Sequence, residues 1–156
     1  MTKREILSET AHLTRTTSAG WMIQRLSAML DEAMKADLAA EDLTLDQFIM
    51  LMTLSEADGE TQTGLAARMR LANYTVSRAL DALGARGLVE RRPVATSRRA
   101  HRVVLTEAGQ ALMPNLFGIV ADRNARLLTA LSEDERKQFL RLLSQLVEGA
   151  PVSPTG

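Results

Sequence analysis

The chain has 156 residues, 46% of them hydrophobic and 24% charged, with a formal net charge of zero, which is one domain's worth of sequence and enough for a real core. Having no cysteine, it can form no disulfide, thiolate zinc site or thiol redox sensor, and charged residues cut every apolar run short of about 18 residues, so no signal peptide, spanning helix or membrane partner is expected and the chain reads as cytoplasmic. Few aromatic residues against many Leu, Ala and Met predict a mainly α fold with an aliphatic core.

In chain order, Leu13, Met22, Leu26, Met29, Leu30 and Ala33 fall on one helical stripe, which predicts a long amphipathic helix over about 8–38. One short neighbour could not cover it. Thr44 and Gln47 have the spacing of a capping box, and Leu43 and Phe48 that of a hydrophobic staple, so a second helix starts there and ends near Asp58-Gly59. Leu65, Ala66 and Met69 then form the inner face of a short helix, Leu71 fills a turn, and Val76, Leu80 and Leu83 recur at i, i+4 and i+7 on another helix that Asn73 can cap. Gly87 followed by Leu88 is a stop signal. This is a helix-turn-helix pattern, weakened locally by Gly64, which leaves the capping box begun by Thr61 incomplete, and by Gly84.

Leu88 to Arg92 and His101 to Leu105 are rich in β-compatible residues and read as a hairpin, with Pro93 to Arg99 as its loop and Arg98 and Arg99 at the tip. Thr106 can cap a further helix bearing Leu112, Leu116, Ile119, Val120, Leu127 and Leu128, which Pro114 should kink. Ser132 and Glu135 form another capping box ahead of Phe139, Leu140, Leu143, Leu146 and Val147. The tail from 149 to 156 has too little apolar surface to pack.

Charge is distributed less evenly than its total suggests. Between Thr61 and Thr106 stand nine arginines and two acids, Asp81 and Glu90, a local balance of +7 that leaves −7 for the rest of the chain. A basic surface alone can be a solvated one, so the architecture has to decide. With Val76, Leu80 and Leu83 inward, Tyr74, Ser77, Arg78 and Asp81 face outward and Thr75 lies at the flank. Hydrogen-bonding groups and an arginine at the start of such a helix suit base edges in a major groove, and arginines at a hairpin tip suit phosphates or a narrow minor groove. The candidate contacts to double-stranded DNA are thus Asn73, Tyr74, Thr75, Ser77, Arg78, Arg98 and Arg99. Catalysis has no such support: the two histidines, His12 and His101, are far apart, and neither a glycine-rich phosphate loop nor metal-ligand spacing occurs, so no catalytic residue, metal or cofactor is expected.

The runs LAARMRLANYTVSRALDALGARGLVER and RRAHRVVLTEAG resemble the MarR (multiple antibiotic resistance regulator) family of winged-helix transcription regulators over about residues 20–147. The resemblance implies a single domain over 1–156: a winged helix-turn-helix over 44–106 with a small β-hairpin wing, and N- and C-terminal dimerisation helices at 8–38 and 107–148. It also implies a homodimer on a roughly palindromic operator, acting as a repressor and released by a small-molecule effector lodged between the dimerisation helices and the winged helix. Trp21, Arg25, Phe48, Met52 and Asn115 are the candidate lining of that site. Two departures stand out: Val94 and Ser97 occupy wing positions where the family commonly has aspartates, and Gly64 stands where it often has glutamate. The rival reading is a winged-helix protein-interaction adaptor that does not bind DNA specifically.

Overall fold

The run Thr14-Arg15-Thr16-Thr17-Ser18 shapes the N-terminal region. The hydroxyls of Thr14, Thr16 and Thr17 donate to the carbonyls of Thr10, His12 and Leu13 at 2.8–2.9 Å, a mode that competes with the helical ladder and bends helices. Ser18 then leaves helical geometry (φ −76°, ψ 115°), and its hydroxyl accepts from the Trp21 N–H. The single helix expected over 8–38 is therefore two in the computed structural model, α1 (Lys3–Thr17) and α2 (Ala19–Ala39). The early start of α1 follows from a capping box between Thr2 and Glu5, a signal present in the sequence but unused. The structure describes residues 2–94 and 97–149, without the side chains of 94 and 97–100. The chain forms two units, Met1–Ile119 and Val120–Gly156.

In the first unit, the Thr44 N–H donates to Gln47 Oε1 at 3.0 Å and the Gln47 N–H to Thr44 Oγ1 at 3.3 Å, so the expected capping box starts α3 (Leu45–Glu56). Leu43 and Phe48, the two staple positions, are both buried. Just past α3, Asp58 Oδ1 accepts the Leu105 N–H at 3.0 Å, tying this end to the hairpin strand beyond it. Gln62–Met69 forms α4 and Asn73–Ala85 forms α5; their inner residues Leu65, Ala66, Val76, Leu80 and Leu83 join Leu38, Leu51, Leu54, Val103 and Leu116 in the core. Leu88 N–H donates to the Leu83 carbonyl and Gly87 N–H to that of Gly84, closing α5 through a left-handed Gly87 (φ 69°) as the stop signal predicts.

The hairpin consists of β2 (Val89–Val94) and β3 (Ser97–Leu105), paired antiparallel from Val89↔Leu105 to Val94↔Ser97. The strands thus run further than expected, and Arg98 and Arg99 lie within β3 rather than in a seven-residue loop; their side chains are outside the described residues. Chain pairing overrides the loop-like composition of Pro93-Val94 because Pro93 sits on an edge strand, where its missing N–H costs little. The short β1 (Glu60–Thr61) completes the sheet in the order β1-β3-β2. Two residues are too few for periodicity to reveal.

Helix α6 (Glu107–Leu127) begins at Thr106, whose hydroxyl accepts the Gly109 N–H at 3.1 Å and donates to the Gly87 carbonyl at 2.5 Å. It stays helical through Pro114. In the second unit, α7 (Glu133–Gly149) is capped as expected by Ser132 and Glu135, and the Ser132 hydroxyl and N–H bonds hold the Glu135 carboxyl below its ordinary pKa. The tail from residue 150 onward lies outside the described residues.

Gly84 gives a first prediction. It lies in α5, where an added Cβ would meet only the Val89 carbonyl oxygen at 3.9 Å, an ordinary contact. Gly84→Ala should therefore stabilise the protein by about 0.5–1 kcal/mol through helix propensity, read as a rise in the urea midpoint with an unchanged slope. A lower midpoint would contradict the open packing at this position.

Candidate nucleic-acid interface

Along α5 the inward positions are closed and the outward ones open. Val76, Ala79, Leu80 and Leu83 are buried, whereas Tyr74 is 71% exposed, Asn73, Arg78 and Asp81 are exposed, and Thr75 and Ser77 are half-buried at the flanks. The structure so brings Asn73, Tyr74, Thr75, Ser77 and Arg78 together at the N-terminal half of one helix. Between this half and the start of α3 runs a groove of about 290 Å³, with Thr44, Gln47, Tyr74, Thr75 and Arg78 among its lining.

The helix start differs from expectation. Its N-cap is Ala72, with no side-chain cap, and Asn73 is the first helical residue. The Thr75 and Val76 N–H groups both donate to the Ala72 carbonyl, which places the first helical acceptor one residue earlier than a capping Asn73 would. Asn73 consequently has its side chain free for the outer face, and the first turn of α5 keeps backbone N–H groups that a phosphate could accept from.

The arginines divide into two sets. Arg68 pairs with Glu56 at 3.1 Å, Arg91 with Asp81 at 2.8 Å, and Arg92 Nε donates to Glu90 at 2.7 Å. Arg102 donates to the Gly59 carbonyl, and Arg86 donates to the Asp42 and Glu41 carbonyls at 2.8 and 2.9 Å. Among the described residues of the basic segment, that leaves the guanidinium groups of Arg70 and Arg78 without a protein partner. Sequence reasoning selected Arg78 and passed over Arg70, which occupies the helix-turn-helix turn in left-handed conformation (φ 52°). A non-glycine residue in that conformation leaves no periodic signal.

Residues 41–100 match the model of the MarR family. A helix-turn-helix transcriptional repressor of Mycobacterium tuberculosis is 29% identical over 127 residues, which cover 81% of this chain and 91% of the relative. The fold is similar to a MarR transcriptional regulator from Methanosarcina mazei Go1, with a TM-score of 0.77 and 26% identity over 83% of this chain and 93% of that one. It is also similar to a mutant MarR from E. coli complexed with operator DNA, with a TM-score of 0.73 and 26% identity over 85% and 96% of the two chains. The chain is similar to MarR-family regulators in its helix-turn-helix sequence and in its fold.

In this MarR-like fold the winged helix is formed by α3–α5 and the β2–β3 wing. The five residues considered for an effector are dispersed. Trp21 and Arg25 line a hollow of about 580 Å³ together with Arg15, Thr16 and Gln24 from α1 and α2. Phe48 is buried in the core and Met52 half-buried on the same helix. Asn115 donates to Glu41 Oε1 at 2.6 Å, so it serves the turn between α2 and α3. No described helix is long and apolar enough to cross a membrane.

Proposed function

We propose that this chain is a MarR-family regulator, a homodimeric repressor that reads a roughly palindromic operator through α5, touches the flanking backbone through its wing, and is released by a small-molecule ligand. The observation that carries the reading is the unpartnered Arg78 guanidinium beside Tyr74, Thr75 and Ser77 on an open helix face. Arg98 and Arg99 add two positive charges to the sequence of β3. An E. coli MarR of the same fold has been seen with operator DNA, which supports DNA as the partner here.

Dimerisation is supported by apolar surface that each unit leaves open. In the first, α1 buries none of its residues, and Leu7, Leu13, Trp21, Met22 and Met29 are exposed; in the second, α7 buries none and exposes Leu140, Leu146 and Val147. Surface of this kind marks a protein interface. The ligand, with Trp21 and Arg25 as its nearest candidates, acts by changing the spacing of two recognition helices. Those must match half-sites about 34–36 Å apart.

Two measurements on one preparation test this. Sedimentation at low micromolar concentration should give a dimer, and duplexes selected from a randomised pool should carry two inverted half-sites one helical turn apart. A folded monomer selecting a single asymmetric site would overturn the proposal.

A further inference from the structure

The segment 61–106 contains only two acids, Asp81 and Glu90, and both are spent on arginines at the stem of the wing. Asp81 Oδ1 accepts from Arg91 Nη2 at 2.8 Å, joining the outer face of α5 to β2, and Glu90 Oε1 accepts from Arg92 Nε at 2.7 Å. Both pairs are solvent-exposed. Asp81 lies on the same helical stripe as Tyr74, Ser77 and Arg78, so a carboxylate stands within the surface that faces DNA under the function proposed above, on which this inference rests.

A carboxylate there repels phosphates, and one engaged with a neighbouring arginine also withholds that arginine from them. Non-specific affinity comes almost wholly from the number of phosphates neutralised, whereas specific affinity adds base contacts that the pairs do not touch. We infer that Asp81 and Glu90 are specificity-determining residues that hold Arg91 and Arg92 neutralised, suppressing binding to random DNA while sparing the operator. Stem arginines engage phosphate only where docking is good enough to open a 2.8 Å pair. Among the described residues of the segment, free cations remain at Arg70, in the helix-turn-helix turn, and at Arg78, on α5, where they anchor or read.

The test compares Asp81→Asn, Glu90→Gln and the double variant with wild type, using a random-sequence duplex and a duplex selected by the wild-type protein from a randomised pool. Glu9→Gln, an exposed acid on α1, controls for the same change in net charge. Each stem variant should bind random DNA more tightly, on the order of 3- to 10-fold, with a salt slope steeper by about 0.9 per freed arginine. Affinity for the selected duplex should rise less, so the ratio of the two falls; Glu9→Gln should change neither appreciably. If wild type binds the selected duplex but the stem variants leave random-DNA affinity and slope unchanged, or match Glu9→Gln, the filter is refuted while the DNA-binding reading stands. If wild type binds no duplex even at low salt, that reading fails, and this inference with it.

Discussion

Gly109→Ala should destabilise the protein by about 1–3 kcal/mol or more, the cost of forcing an extra carbon into a filled site. A Cβ added at Gly109 would overlap the Leu88 carbonyl oxygen and lie 3.1 Å from its carbon and 3.3 Å from Leu105 Cδ2. The obstacle is backbone, and it is fixed from several sides: Leu88 O accepts the Thr106 N–H, Leu88 N bonds back to Leu83, and the next residue enters the β2–β3 ladder. No rotamer change relieves the clash, so the first turn of α6 or the base of the wing must shift. Gly118→Ala provides the comparison on the same helix. Its added Cβ would meet nothing within 4 Å, and it should stabilise by up to about 1 kcal/mol. Urea midpoints moving in opposite directions are the expected result; equal midpoints would show that α6 can stand off from Leu88 at no cost.

Arg78→Ala should cost base discrimination rather than binding as such. A guanidinium that bonds a guanine edge with two donors contributes about 1–3 kcal/mol of preference for the right base, roughly 5- to 150-fold. Arg78→Lys should not restore it, because a point charge lacks the planar fork. The double replacement of Arg98 and Arg99 by Ala should instead weaken selected and random duplexes alike and reduce the salt slope by up to about 2 units. Selection from a randomised pool reads the first effect, and a salt titration the second. If the Arg78 variant selects the same bases as wild type with undiminished stringency, α5 is not presenting Arg78 to the bases.

What the sequence revealed and what it hid follow one physical distinction. Signals that act within one or two turns were legible: the Thr44–Gln47 and Ser132–Glu135 boxes, the Gly87 stop, and the alternation of Val76, Leu80 and Leu83 against Tyr74 and Arg78. Pairings set by tertiary approach were not. Arg86 gives no local sign that it will bond carbonyls 44 and 45 residues away, nor does Glu60-Thr61 announce a strand opposite Arg102 and Val103. The break at Ser18 lies between, since its threonine run was local but was outweighed by an apolar stripe that continues in phase on both sides. Nine arginines looked like one electrostatic feature, although only the folded chain separates those that brace the structure from those left open.

The bonds from Arg86 to the turn at Glu41 and Asp42, with Asn115 holding Glu41 from α6, also make a fulcrum. They fasten the C-terminal end of α5 to the turn after α2, while Asn73, Tyr74 and Thr75, proposed to face DNA, sit at the opposite end of that 13-residue helix, about 20 Å away at 1.5 Å per residue. A tilt of about 10° around the fastened end sweeps the Asn73 end through roughly 3.5 Å, close to the 3.4 Å step between successive bases. Because Val76, Leu80 and Leu83 seat α5 in the core, such a tilt must carry the winged helix with it, and a small rotation of that body at the end of α2 would be magnified into a whole base-pair error at the groove.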